Sequence, residues 1–529
     1  MSRPNAALEL FSSRRPWLAC ALCVALRLPS LRYGTISDDE AIYDAMAQEV
    51  LAGGVMYRDT VDHKPPGLVY TYAAVERVAG KGPRRMAAVH LAGLLAALAT
   101  CLALWVIARR LLGDELALWP PLLYALTSAA KVPVDGLAVN GELLMNLPTA
   151  LAVASVLAAT ATAGARRFAL DVLAGALVAA AVLYKYQAGL VLVAFGALTL
   201  GREPLRRCVS RCLAWLAGFA GPLALCAWYF HRQGALRDAI SWGLGFNRNY
   251  LAAASPLSWE LERLGWQLLG VVLPGALLYF GGFATLVRLV RGPAPRGAEA
   301  MPQRAFLAAW SSLAVGAVGL GGRFFGHYFL QPELPLALAA AGPVAQLRRS
   351  HPRLCAAALA VPALVFFLGA TLPPAEPGRW LDPGLPDYAG IGAAVAARTR
   401  ADETIWVWGN APQIYYTAQR RPGVRFTFCN YLTGLSPGTP SEYDPSVDPQ
   451  ASAVAWAWRL ALDDLEQRRP ALILDTAAAN LKSYGKFPIA HFPAFARYLA
   501  SHYRRDEDAL GVPIYRRRGG PELESRSAQ

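Results

Sequence analysis

The sequence predicts an α-helical polytopic membrane protein of about eleven transmembrane helices, followed by a C-terminal extracytoplasmic α/β domain. Three observations predict it. The 529 residues are 55% apolar and only 17% charged, where a soluble domain of this size carries about 25% charged residues. Ala-, Leu- and Val-rich runs of bilayer-spanning length recur as far as residue 372, and the mean hydropathy is +0.30. Beyond residue 372 the pattern changes to short apolar runs separated by amphipathic stretches.

Taken in order, the apolar spans are 16–33, 86–108, 115–131, 141–163, 168–184, 187–201, 213–230, 266–289, 305–320, 329–347 and 353–372. The start, Arg14-Arg15-Pro16 and then an apolar run, reads as an uncleaved first span rather than a cleaved signal peptide. The formal charge of +14 is unevenly placed: residues 1–372 hold 33 basic and 20 acidic residues, residues 373–529 hold 18 and 17. With the N-terminus inside, Arg109-Arg110, Arg166-Arg167, Arg202 with Arg206, Arg207 and Arg211, Arg288 with Arg291, Arg296 and Arg304, and Arg348-Arg349 with Arg353 all fall in inner loops, as the positive-inside bias requires. The basic pI is therefore a topology signal, and no nucleic-acid partner is expected. Loops 34–85, 131–140, 231–265, 321–328 and everything after 372 then lie outside. Eight cysteines sit mostly in or beside apolar spans and predict neither a zinc site nor a disulfide framework.

The domains expected are therefore 1–372 and 373–529. The second opens on Pro373, Pro374 and Pro377, with apolar runs at 405–408, 471–474 and 512–515 and amphipathic helices at 388–400 and 453–468. Strands alternating with helices indicate a small α/β fold. The aromatic segment 405–431 offers either a sugar-stacking surface or ordinary core. Trp406 and Trp408, two apart, read as one strand face and favour core. Arg516-Arg517-Arg518 and the tail to Gln529 read as frayed and solvated.

The chemistry concentrates in the outer loops. Ser37-Asp38-Asp39-Glu40 precedes an amphipathic helix and has capping-box spacing, in which Glu40 bonds back to the Ser37 amide. Asp39 is then the carboxylate most free to act as a general base toward a hydroxyl. Lys64 precedes Pro65, which favours extended geometry, and Pro66 is placed to start a helix over 66–79. A lysine held there suits a phosphate; its plain alternative is snorkelling to anionic headgroups. His63 with Asp62 is a candidate divalent-metal pair, although a lone loop histidine is more often solvated; no motif demands a cofactor. Lys131, Asp135, Asn140 and Glu142 follow in the second outer loop, where Glu142 opens the fourth span and complements a helix N-terminus. Lys185 lies at the outer end of a helical pair, and Arg323 with His327 precedes the tenth span. Acids and cations on one face suit an anionic, lipid-linked substrate.

These residues carry a resemblance. Asp39-Glu40 with Tyr43, the run Gly54 to Tyr57 and Asp59, and Lys64-Pro65-Pro66-Gly67 resemble the first outer loop of the GT-C membrane glycosyltransferases. The branch is that of the protein O-mannosyltransferases, the aminoarabinose lipid A transferase and the rhizobial lipopolysaccharide glycosyltransferases. Arg323 through Pro335 looks like that family's late-loop signature, and the likeness covers roughly residues 16–350. It implies a polyprenyl-phosphate sugar donor, a hydroxyl acceptor, the bilayer as surroundings and transfer on the outer face of a bacterial inner membrane, within cell-envelope or lipopolysaccharide synthesis. It implies Asp39 as catalytic base, Glu142 as a second acid, Lys64, Lys185 and Arg323 as donor-phosphate ligands, and Glu40, Tyr57, His63, His327 and Tyr328 as substrate contacts. The competing expectation is a non-enzymatic transporter or flippase of lipid-linked sugars. Such proteins place charges near the midplane between repeated halves, whereas these charges cluster in outer loops and no internal repeat is visible. A third is an assembly subunit whose outer domain binds partners.

Overall fold

The computed structural model describes residues 15–199, 203–247, 255–291, 300–372, 385–435, 438–444 and 446–519. Arg14, Arg202, Arg296, the prolines at 373–377 and the tail beyond 519 lie outside the described residues.

Helices α1 (Arg15–Arg27), α2 (Asp38–Leu51) and α3 (Gly67–Ala79) are followed by α4 (Arg84–Leu112), α5 (Trp119–Thr127), α6 (Gly141–Thr160), α7 (Gly164–Val182), α8 (Val191–Thr199) and α9 (Leu205–Arg232). Then come α10 (Leu257–Gln267), α11 (Ala276–Arg291), α12 (Ala300–Val318), α13 (Leu330–Ser350) and α14 (Pro352–Thr371). Each of the eleven apolar segments read from the sequence overlaps one of these helices, and the eighth, 266–289, straddles the end of α10, a sharp bend and α11. Four spans are long and apolar enough to cross a bilayer among the described residues: α4, the stretch Pro133–Thr160 that ends in α6, α9 and α14. A fifth is reached if the sharply bent stretch Leu257–Val272 with Ala276–Leu289 counts as one. The 29 residues of α4 extend about 43 Å at 1.5 Å per residue, more than the ~30 Å hydrocarbon core. Only 22% of the apolar window of α9 and 17% of that of α14 is buried within the protein. Their exposed Leu213, Leu216, Leu225, Val361, Leu364 and Val365 make surfaces suited to lipid. Two pairs of buried charges lie inside the bundle, as low dielectric favours: Arg211 holds Asp171 at 2.9 Å, and Lys131 of the second loop holds Glu333.

The C-terminal region runs α15 (Tyr388–Ala397), β1 (Thr404–Trp408), α16 (Gln413–Ala418), β2 (Arg421–Pro422), α17 (Ala455–Arg468), β3 (Leu472–Asp475), α18 (Pro493–His502), β4 (Tyr503–Arg505) and β5 (Ile514–Arg517). Its sheet has the order β2-β1-β3-β5-β4. β1 is parallel to β2 and β3, and β5 is antiparallel to β3 and β4. Trp406 and Trp408 do share one face: both are buried, their rings lie 5.8 Å apart, and both meet Phe495. Arg516 and Arg517, expected in a frayed tail, instead sit in β5. The correction has a local cause: Ile514 is buried against the sheet, and Arg516 Nε donates to Asp506 at 2.7 Å. The first loop and this region share one apolar core, in which Ile42, Met46, Val55 and Met56 meet Trp406, Trp408, Phe426 and Phe495. Polar contacts reinforce it: Arg85 bridges Asp44, at 2.5 and 2.8 Å, to Gln419, and Asp38 bonds Gln413 and Lys482.

Candidate active site

Asp39 owes its place to a helix start. Ser37 Oγ accepts the Glu40 amide at 3.2 Å and seats Asp38 and Asp39 in the first turn of α2, where free backbone N–H groups favour carboxylates. Only half of the expected capping box forms. The Glu40 carboxylate does not return to the Ser37 amide. It accepts the Ile36 amide at 2.7 Å and the Val139 amide at 2.7 Å, and lies 3.1 Å from His90 Nε2. Glu40 is fully buried and stands outside the lining of the cavity between the loops. It ties the first loop to the second and to α4.

Lys64 is positioned from three sides. Asp62 Oδ1 accepts the His63 amide at 2.7 Å, the Lys64 amide at 3.3 Å and the Tyr431 hydroxyl at 2.9 Å. The Tyr57 hydroxyl donates to the Lys64 carbonyl at 2.8 Å. Pro65-Pro66 then leads into α3, and the Gly67 amide donates to the Leu183 carbonyl at 2.8 Å. A Cβ at Gly67 would stand 2.5 Å from that oxygen, and one at Gly141 would stand 2.7 Å from the Tyr184 carbonyl. Two glycines thus clasp the backbone of residues 183–184 where no side chain fits. Glu142, next to Gly141, is thereby brought to Lys185.

Two acid–lysine pairs result. Lys64 Nζ lies 3.1 Å from Asp39 Oδ1, with the side chains 25% and 29% exposed. The same ammonium donates to the Tyr43 hydroxyl and lies 4.7 Å over its ring. Lys185 Nζ lies 2.6 Å from Glu142 Oε1, with 12% and 2% exposed. It also stands 4.3 Å over the Tyr328 ring. Burial alone would push the Asp39 carboxyl up; the Lys64 ammonium, helped by His327, outweighs it and holds Asp39 below the usual carboxylate value. Burial works against the Lys64 charge, and Asp39 and Asp62 outweigh it, so the ammonium is held above its ordinary value. Asp62 is held far below the usual range, as Lys64 and His63 overcome its burial.

Between the loops lies a cavity of about 590 Å³. Of the residues expected to act, Asp39, His63, Lys64, His327 and Tyr328 line it. Glu142 and Lys185 stand one layer back, behind the Tyr328 ring. Tyr57 and Arg323 are buried outside the lining. The His327 amide and Nδ1 meet Asp135 Oδ1 at 2.9 and 3.2 Å, which fixes the late loop on the second. Sequence reasoning left Asp135 and Asn140 without a role here and gave Asp62 only as a metal partner of His63, and it missed the far wall, where Tyr388, Asn410, Gln413, Asn430, Glu442 and Lys482 come from the C-terminal region. Asn410 follows β1, so the cavity lies beyond the carboxyl ends of the parallel strands, where α/β sheets receive ligands. Several polar atoms in this lining have no hydrogen-bond partner among the described residues: both amide atoms of Asn140, Asn410 Oδ1 and Gln413 Oε1. Groups left in this state tend to bond a ligand or water. His63 Nδ1 lies 3.2 Å from Asp62 and 2.9 Å from the Tyr431 hydroxyl. Among the described residues no three His, Cys, Asp or Glu side chains gather as a metal site.

The likeness to GT-C enzymes holds beyond these residues. Residues 63–230 match the family model described as dolichyl-phosphate-mannose-protein mannosyltransferase. No curated protein sequence matches. Among solved structures, the fold is similar to that of ArnT from Cupriavidus metallidurans bound to undecaprenyl phosphate. That match has a TM-score of 0.61 and 14% identity over 95% of this chain and 98% of that one. It is also similar to the oligosaccharyltransferase AglB from Archaeoglobus fulgidus in complex with an inhibitory peptide and a dolichol-phosphate. Here the TM-score is 0.54, with 13% identity over 98% of this chain and 75% of that one. These likenesses establish the fold.

Proposed function

We propose that this chain is a membrane glycosyltransferase that moves a sugar from a polyprenyl-phosphate donor to a hydroxyl acceptor, a lipid, glycan or protein, on the extracytoplasmic face of a bacterial inner membrane. In this reading residues 1–372 form a bundle of about eleven spans with the N-terminus inside, and residues 373–529 form an outer α/β domain. The observation that carries it is the Asp39–Lys64 pair at 3.1 Å on the wall of a cavity. A base and a phosphate ligand are held together there, and the donor phosphate is the natural competitor for the ammonium.

When the phosphate arrives, Lys64 turns from Asp39 to it. The Asp39 carboxylate, kept ionised by its surroundings, then accepts the proton of the acceptor hydroxyl. The hydroxyl oxygen bonds to the anomeric carbon as the bond from that carbon to the phosphate oxygen breaks, and the phosphate leaves with the electron pair. Lys64 meets the charge that develops, with Lys185 and Arg323 as further cations behind it. One displacement inverts the anomeric centre. Glu142 holds Lys185 in place, and the amides of Asn140, Asn410 and Gln413 face the sugar hydroxyls.

The test is a direct one. Purified protein in liposomes is given polyprenyl-phosphate sugars and hydroxyl acceptors. Release of free polyprenyl phosphate coupled to glycosylated product is the expected result. Movement of intact donor across the bilayer without product would replace this reading with transport.

A further inference from the structure

A second cavity, of about 530 Å³, opens at the other end of the C-terminal sheet. Thr404 at the start of β1, Ala471 just before β3, β2, and Arg516 and Arg517 of β5 line it. Seven arginines and three carboxylates face it. The acids account for only part of the charge. Glu49 of α2 takes Arg421 and Arg468 at 3.1 and 3.0 Å. Asp402 and Glu403 take Arg400 at 3.3 and 3.7 Å. Arg398 and Arg516 find their acids outside the lining, in Glu507 and Asp506. Arg469 donates only to the Glu466 carbonyl, and Arg517 makes no side-chain hydrogen bond among the described residues.

Cations gathered in a concavity focus positive potential. Guanidinium forks match the paired oxygens of a phosphate group, and the five carboxylates that meet the seven arginines leave an excess of two positive charges, close to the charge of one phosphate monoester, about −1.5 to −2. We infer that this arginine-lined cavity is a binding site for a phosphate-bearing anionic ligand, separate from the cavity that holds Asp39 and Lys64. Two rulers give the separation. Asp39 and Glu49 are ten residues apart on α2, about 15 Å at 1.5 Å per residue. The five residues of β1 run between the two cavities, about 17 Å at 3.3 Å per residue. A phosphate bound here is therefore not the one that Lys64 meets. It belongs either to a lipid headgroup or to a soluble or acceptor-borne phosphate.

The test uses the full chain in uncharged nanodiscs and inorganic tripolyphosphate as probe, followed by calorimetry. Saturable binding is expected. It should weaken tenfold or more in Arg469→Gln/Arg517→Gln, a variant that removes the two arginines least used by the fold and should leave the thermal midpoint unchanged. Arg206→Gln/Arg207→Gln, outside this cavity, should bind as wild type. Loss of tripolyphosphate binding on moving wild type into phosphatidylglycerol discs would identify the headgroup as occupant, and unchanged binding would identify a soluble or acceptor-borne phosphate; either supports the site. Absence of saturable binding, or equal affinity in Arg469→Gln/Arg517→Gln and wild type, overturns it. Neither result bears on transfer at Asp39.

Discussion

Two acid–lysine pairs serve one cavity, and they are built differently. Asp39–Lys64 joins the first turn of a helix to a loop, lines the cavity and keeps about a quarter of each side chain in solvent. Glu142–Lys185 is shorter, nearly dry and screened from the cavity by Tyr328. A pair open to water exchanges partners at small cost. A buried pair that loses one member leaves an uncompensated charge behind. The first pair is suited to open when a phosphate arrives, and the second to stay closed and hold the frame.

Asp39→Asn should test the comparison most sharply. Removing the base should lower transfer about 10²–10⁴-fold while yield and thermal midpoint stay near wild type, measured as polyprenyl phosphate released by purified protein. Turnover at the wild-type rate would remove Asp39 from the chemistry. Glu142→Gln should fail differently. Leaving Lys185 unpaired costs about 3–5 kcal/mol, read as reduced folded yield and a lower unfolding midpoint in detergent. Glu142→Gln/Lys185→Met should recover part of that loss. A Glu142→Gln protein that folds like wild type and loses only turnover would make Glu142 a reacting acid and reverse the contrast.

The two pairs also differ in how far the sequence revealed them. Lys64 was legible because Pro65-Pro66 restricts its backbone, and Asp39 because a helix start beside an apolar span is an unusual place for three carboxylates. The mostly helical, apolar character of residues 15–372 was legible from composition and length. Glu142 and Lys185 could be named but not paired, because what joins them is a close approach of Gly67 and Gly141 to the backbone of residues 183–184, which leaves no periodic trace. The far wall was hidden for a related reason: Asn410, Asn430 and Lys482 sit in connections, without helical or strand spacing. The arginine cavity was hidden by averaging. A near-neutral count over residues 373–529 says nothing about seven guanidiniums converging on one end of a sheet.

A smaller effect probes the cavity wall between the pairs. Asn140 is 2% exposed and both its amide atoms lack partners among the described residues. If it bonds the sugar or phosphate, Asn140→Ala should raise the donor KM about fivefold, the worth of one neutral hydrogen bond, with kcat little changed. Equal KM values would leave the amide with water alone.

The smallest effect concerns a third carboxyl, which shows what becomes of an acid on this loop without a cation of its own. Glu76 of α3 is buried beside Asp44, and Asp44 takes both forks of Arg85. Gln48 Nε2 donates to Glu76 at 2.7 Å. Burial, and then the Asp44 charge, push its carboxyl up to about 9, the opposite of Asp39. A folded-state value raised above the ordinary 4.5 makes a contribution that is fully present below about 4.5 and is lost as pH rises toward about 9. Wild type should therefore lose stability between pH 6 and 9 relative to Glu76→Gln, which stays neutral throughout, by about 1 kcal/mol or more. Unfolding midpoints of the two proteins across that range give the answer. Parallel curves would mean that Glu76 is ionised like Asp39, and that a carboxylate here needs no cation to stay charged.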